Sequence, residues 1–159
     1  MYFFRSDNLS RAEKAYEQAT VTLPNGGNGN PQVMLALLDS VKFVAMGIGE
    51  DRVGFVNFNQ FTSQWQWIAV TRSAPGTKDP HSYRIAKYGA DSAMIYVDNV
   101  AKLGAQNSVL PANFLVSQGP LLGSQAAKMS SFFGVTAQDV GTTAIVSSVT
   151  YAFHVKPNP

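Results

Sequence analysis

The chain has no cysteine among its 159 residues and only two histidines. Without thiols there is no disulfide framework, no thiolate metal site and no cysteine nucleophile. Charge is scarce too: Asp, Glu, Lys and Arg make up 14% of the residues, against about 25% in ordinary soluble domains. The net charge of +2 comes from 12 basic and 10 acidic residues spread along the chain, too little for a general polyanion binder. Catalytic signatures are missing as well, with no Gly-x-Ser-x-Gly elbow, no His-Glu-x-x-His and no Asp-x-Asp-x-Asp-Gly loop. The glycine-rich stretch 25–31 runs into Pro31 and lacks the Lys-Ser or Lys-Thr of a phosphate loop, so it is read as a plain turn. Residues 103–127 carry no charge, but Pro111, Pro120 and several Gln, Asn and Gly residues interrupt them, which excludes a membrane span. The apolar run that opens the chain, Tyr2-Phe3-Phe4, is too short for a signal peptide, so synthesis in the cytosol is expected.

Apolar and aromatic residues are plentiful, at 45% and 11%. They concentrate between Gln32 and Thr71, where two long runs flank the turn Gly47-Ile48-Gly49-Glu50-Asp51. That pattern predicts an antiparallel pair at the centre of a sheet. Read as one strand, 33–46 places Val33, Leu35, Leu37, Val41, Phe43 and Ala45 on one face, broken only by Asp39. The second run alternates Val53, Phe55, Phe61, Trp65, Trp67 and Ala69 with Val56, Phe58, Ile68 and Val70, with Asn and Gln among them. Amides hydrogen-bond without the desolvation cost of a full charge, so such a surface suits contact with another protein. Trp65 and Trp67 also offer a platform on which a sugar could stack.

Before this centre, the Ser10/Glu13 capping box and the spacing of Leu9, Ala12, Tyr16 and Ala19 predict a helix over 6–20, followed by a short strand at 21–24. After it, residues 72–90 read as a basic loop excursion carrying Arg72, Lys78, Arg84 and Lys87 against Asp79. A strand follows at 92–97, a second helix is predicted over 120–133, and an amphipathic strand over 144–156. The expected fold is mainly β: one antiparallel β-sandwich over 1–159, jelly-roll-like, with one or two short helices and an N-terminal arm at 1–20.

The short strand Thr20–Pro24, the Gly and Asn loop, the long strand 33–46, the aromatic strand 53–71 and the terminal strand resemble the layout of the jelly-roll capsid proteins of viruses, including icosahedral bacteriophages. The resemblance implies a self-assembling coat subunit without catalysis or cofactor, located in the virion, with copies of itself and other coat proteins as partners. Tyr2, Phe3, Phe4, Phe61, Trp65 and Trp67 would then lie in subunit interfaces. Arg72, Lys78, Arg84 and Lys87 would contact phosphate or an acidic partner. Residues 1–23 hold three basic and three acidic residues, so no basic genome-binding arm is expected. The alternatives are a phage decoration or tail-tube protein and a carbohydrate-binding sandwich using Trp65 and Trp67. No metal site is expected, and an enzyme would need His81, His154 and Asp39 to converge.

Overall fold

A computed structural model describes residues 2–4, 14–25, 29–38, 42–59, 61–72, 78–88, 92–106, 116–117, 131–136, 141 and 143–153. Its strands are β1 (Tyr2–Phe4), β2 (Lys14–Asn25), β3 (Val33–Leu38), β4 (Lys42–Ile48), β5 (Arg52–Asn59), β6 (Gln64–Arg72), β7 (His81–Tyr88), β8 (Ser92–Val97), β9 (Val100–Gln106), β10 (Val116–Ser117), β11 (Ser131–Val135) and β12 (Thr143–Phe153). They form two antiparallel sheets. A seven-stranded sheet runs β1-β11-β3-β4-β5-β6, with β10 also on β4, and a five-stranded sheet runs β12-β2-β7-β8-β9. Side chains from both sheets meet in one core cluster, so the architecture is the expected β-sandwich.

Local turn chemistry explains the hairpins. Gly49 N–H donates to the Arg52 carbonyl at 2.9 Å, closing the predicted turn between β4 and β5. Asn59 Oδ1 accepts from the Phe61 and Thr62 amides at 2.9 and 3.3 Å, which folds the chain from β5 into β6. Asp98 and Asn99 both have positive φ, 50° and 65°, and form a two-residue loop between β8 and β9. Asp and Asn tolerate that conformation better than most residues.

The two runs predicted as single strands are each a hairpin. Val33, Leu35 and Leu37 of β3 enter the core between the sheets together with Val44, Met46 and Ile48 of β4. A continuous strand would have placed Phe43 and Ala45 there. The chain reversal resets the parity, and Phe43 and Ala45 instead join Met34, Ala36, Val56 and Trp65 in a second cluster on the other face of the seven-stranded sheet. Both faces of this hairpin are therefore buried. In the second run a register shift between Phe55 and Val56 makes Ile68 an extra residue of β6. Phe55 and Ile68 pack with the first cluster while Trp65 and Trp67 pack with the second. Glycine is required where strands crowd: a Cβ on Gly54 would collide with the Ala69 carbonyl oxygen, and one on Gly47 would stand 2.6 Å from Val56 Cγ1 and 2.8 Å from Trp67.

The described residues contain no helix. Residues 14–20, predicted helical, lie in β2, the second strand of the five-stranded sheet, and 131–133 lie in β11. The rest of both predicted helices, 6–13 and 120–130, falls outside the described residues. In β2 the alternation is Ala15, Glu17, Ala19, Val21 and Leu23 inward, with Tyr16, Gln18, Thr20 and Thr22 outward. Small alanines and a buried glutamate conceal that period. The terminal strand is confirmed, as β12, but it is an edge strand. Bulges at 143–145 and 146–148 turn Ala144, Val146 and Val149 toward the core and leave Ile145 and Tyr151 exposed.

Glu17 is fully buried between the sheets. One carboxyl oxygen accepts from the Ala36 amide at 2.9 Å, and Oε1 has no partner. Burial pushes its pKa well above the usual carboxylate value; the Ala36 amide, and then the Ser131 hydroxyl facing the carboxyl, act in the opposite sense without cancelling it. A carboxyl whose pKa is raised by folding contributes stability that is complete below its unfolded value of about 4.5 and is lost as pH rises through the folded value. Glu17→Gln keeps an acceptor for Ala36 and removes the ionisation. Thermal melts from pH 4 to pH 8 should therefore show a smaller loss of Tm in Glu17→Gln than in the wild type. Parallel pH profiles would contradict this account of Glu17.

Candidate functional site

The two sheets present different outer faces. That of the seven-stranded sheet is apolar and covered. Trp65 is only 5% exposed, edge-on to Phe43 and Phe58 at ring separations of 6.2 and 5.4 Å. Trp67 is half-buried; its Nε1 donates to the Gly29 carbonyl at 2.7 Å and its ring lies over Gly47 and Gly49. Trp65 thus packs within its own chain, and the Trp67 indole N–H is engaged by the Gly29 carbonyl. Phe61 is 91% exposed at the β5–β6 turn, and Tyr2, Phe3 and Phe4 form β1 against β11. In the strand order of the seven-stranded sheet β1 stands at one end and β6, with Trp65 and Trp67, at the other.

Nor does it assemble a basic loop. Arg72 ends β6 and is exposed, as is Lys78. Arg84 and Lys87 lie within β7, the middle strand of the five-stranded sheet, and both are buried. Of the histidine constellation, His154 and Asp39 fall outside the described residues. His81 Nδ1 donates to Asp98 Oδ2 at 2.7 Å, while Asp98 Oδ1 accepts from the Ser82 amide at 2.9 Å. Burial pulls the Asp98 pKa up, but the Ser82 amide and the His81 ring outweigh it, leaving Asp98 below the ordinary carboxylate value. This unit secures the β8–β9 turn. Among the described residues no group of three or more His, Cys, Asp or Glu could hold a metal ion.

The outer face of the five-stranded sheet carries polar chemistry instead. Because Tyr83 and Ile85 of β7 and Ile95 and Val97 of β8 are in the core, Arg84 and Tyr96 face outward. Strand register aligns Thr150, Gln18, Arg84, Tyr96 and Ala101 in one row across all five strands. The adjacent row is Ala152, Tyr16, Ala86, Met94 and Gly104. The Arg84 guanidinium carbon stands 4.3 Å from the centre of the Tyr96 ring, a cation–π contact that fixes its position. The Tyr96 and Tyr88 hydroxyls are 2.6 Å apart.

Arg84 is the unusual member of this face. It is only 7% exposed, yet its Nε and Nη2 have no hydrogen-bond partner. Leaving a buried donor unpaired costs about 1–3 kcal/mol, and more when it is charged. A native chain normally satisfies such groups, so the two unpaired nitrogens are an exception on this face. Sequence reasoning placed Arg84 in a solvated loop. The signal that locates it is the alternation of Tyr83 and Ile85 with Ser82, Arg84, Ala86 and Tyr88.

No protein-family model and no curated protein sequence matches this chain. Its fold is similar to that of solved structures. Carbohydrate binding module CBM66 from Bacillus subtilis superposes with a TM-score of 0.53 at 18% identity, over 94% of this chain and 80% of that one. Sheep galectin-11 gives 0.50 at 12% identity, over 95% and 96%. The family 7 alginate lyase A1-II' gives 0.52 at 8% identity, over 95% of this chain and 66% of that one. At these identities the likeness shows the fold alone, an antiparallel β-sandwich. It overturns the capsid resemblance and with it the coat-subunit and virion-partner reading. Low charge and amide-rich aromatic strands are shared by any sandwich with uncharged polar faces, and here the aromatics predicted to meet a neighbouring subunit are partly consumed in the chain's own packing.

Burial, then the hydrogen bond and charge of the Tyr96 hydroxyl, push Tyr88 up to about 12 against the opposing charge of Arg84. The Tyr88 ring resonance, followed by NMR with carbon-13-labelled tyrosine, should stay unmoved through about pH 11 in the wild type. In Tyr96→Phe the shift should set in at lower pH than in the wild type, yet still above the ordinary phenol range near 10, because the burial remains. A wild-type Tyr88 titrating near 10 would contradict the paired, part-buried arrangement.

Proposed function

We propose that this chain is a carbohydrate-binding β-sandwich whose ligand lies on the outer face of the five-stranded sheet. The observation that carries the reading is the row Thr150, Gln18, Arg84 and Tyr96, flanked by Tyr16 and Tyr88. Saccharides present hydroxyl edges and apolar ring faces. Sites for them combine orienting hydrogen-bond groups with aromatic surface; on this face Thr150 is exposed and Gln18, Tyr16 and Tyr88 are partly exposed, while Arg84 and Tyr96 lie buried beneath them. The similarity in fold to a carbohydrate binding module and to a galectin supports the same reading.

The proposed role is binding without catalysis. Tyr88 holds its proton far above neutral pH and cannot serve as a base there. The described strand residues of this face include no carboxylate, since Glu17 points into the core, and His81 is held by Asp98 at the end of the sheet. Tyr16, Gln18 and Tyr88 act as hydrogen-bonding and contact groups.

A panel of neutral and acidic oligosaccharides titrated against the full chain by calorimetry tests the proposal. At least one should bind without being cleaved. Gln18→Ala and Tyr16→Ala should weaken it about fivefold to thirtyfold, the loss of about one hydrogen bond or contact each, while Trp67→Phe should leave it unchanged. Absence of binding to every glycan would overturn the reading. Loss of binding in Trp67→Phe alone would move the site to the other sheet.

A further inference from the structure

We propose that β12 is an association edge and that its occupant is β12 of a second copy of this chain, paired antiparallel about a two-fold axis. Among the described strands β12 pairs with β2 alone, so the backbone groups along its far side meet no described strand. Such an edge is a template for strand addition unless charge, proline, shortness or distortion blunts it. The other described edges carry such devices. β1 is three residues long, β6 ends in Arg72, and β9 holds Lys102 and lies against β6. β12, by contrast, runs for 11 residues without a charge, a proline or a glycine. Its bulges distort the strand only up to Ser148; from Ser148↔Thr20 to Phe153↔Ala15 the register with β2 is unbroken.

The side chains decide which partner fits. Ile145 and Tyr151 are 51% and 38% exposed, so large apolar groups reach solvent on this strand. A strand from another protein would have to bring a matching pattern, whereas β12 matches itself. With Thr150 on the two-fold axis, Thr150 faces its own counterpart, Val149 faces Tyr151, and Ser148 faces Ala152. Threonine pairs, and aromatic side chains opposite β-branched ones, are among the cross-strand contacts that stabilise a ladder. Val149 and Tyr151 stand opposite Ala19 and Glu17 of β2, on the core side of the strand. Each Tyr151 ring would therefore extend the core of one sandwich toward that of the other. No register brings like charges together, because the strand has none. The axis is perpendicular to the sheet, so both outer faces stay on one side and the two five-stranded sheets become one. Pairing uses up the β12 edge of both copies, which closes the assembly as a dimer rather than a shell or filament.

Sedimentation of the full chain from micromolar to near-millimolar concentration tests this, with mass as the readout and no ligand needed. The wild type should pass from 17.1 kDa to twice that mass, and high salt should not dissociate it, since the seam is uncharged. Thr150→Lys sets two ammonium groups face to face across the axis, and Thr150→Glu two carboxylates. Each variant alone should dimerise about threefold to tenfold more weakly. An equimolar mixture of the two should recover the dimer as a heterodimer, which a merely structural loss would not allow. Circular dichroism melts establish that both variants fold. Should either not fold, the wild-type mass decides, together with hydrogen exchange at the amides of 148–152, which should slow as concentration rises. A wild type that stays monomeric at every concentration overturns the proposal and leaves the edge to a strand of another protein. A dimer that neither variant weakens overturns β12 as its seam, and species larger than a dimer overturn the two-fold closure.

Discussion

Strict alternation along β7 is the constraint on which the rest of this structure depends. Tyr83 and Ile85 are locked into the core, so Ser82, Arg84, Ala86 and Tyr88 must face the other way. A slip of one residue would drive the Arg84 guanidinium between the sheets and expose Tyr83, and the cost of both changes fixes the register. The same rule on β2 and β8 puts Gln18 and Tyr96 beside Arg84. The candidate site is therefore a by-product of how the core is packed, held by backbone ladders on both sides of the central strand rather than by loops.

The two sheets divide their labour. In the seven-stranded sheet β3 and β4 are buried on both faces, and Trp65, Phe43 and Phe58 fill the outer one. In the five-stranded sheet the outer face keeps polar groups, with two tyrosine hydroxyls paired and one arginine unpaired. Glu17 shows that the core too contains a polar group, tied to the Ala36 amide of the opposite sheet. A carboxyl whose pKa is raised by burial links the sheets there at the cost of sensitivity to pH.

Much of the fold was legible. The turn after β4, the limits of β8 and the course of β12 over 144–153 follow from glycine and acidic turn residues and from period-two alternation. What was not legible has physical causes. Parity is only conserved along one strand, so a hairpin inside 33–46 and a bulge at Ile68 each reassign the faces of everything beyond them. Residues 14–20 carry alanines that fit helix and strand alike, and the buried Glu17 stands where a strand pattern calls for an apolar residue. The site was missed because arginine and lysine read as solvated. Arg84 is charged in sequence but buried in space, and only its neighbours Tyr83 and Ile85 betray the strand. The Trp pair drew attention because large aromatics stack on sugars, yet they stack as readily on one another.

The central claim is that ligands are held on the outer face of the five-stranded sheet, around Arg84. The most direct measurement is an NMR titration of the nitrogen-15-labelled chain with the best-binding oligosaccharide. The account predicts that the Arg84 Nε resonance and the amides of Gln18, Tyr96 and Gly104 move together and saturate at one stoichiometry, with the Trp65 and Trp67 indole signals unmoved. Shifts centred on the Trp67 indole and the Gly47–Gly49 turn, with Arg84 silent, would contradict it.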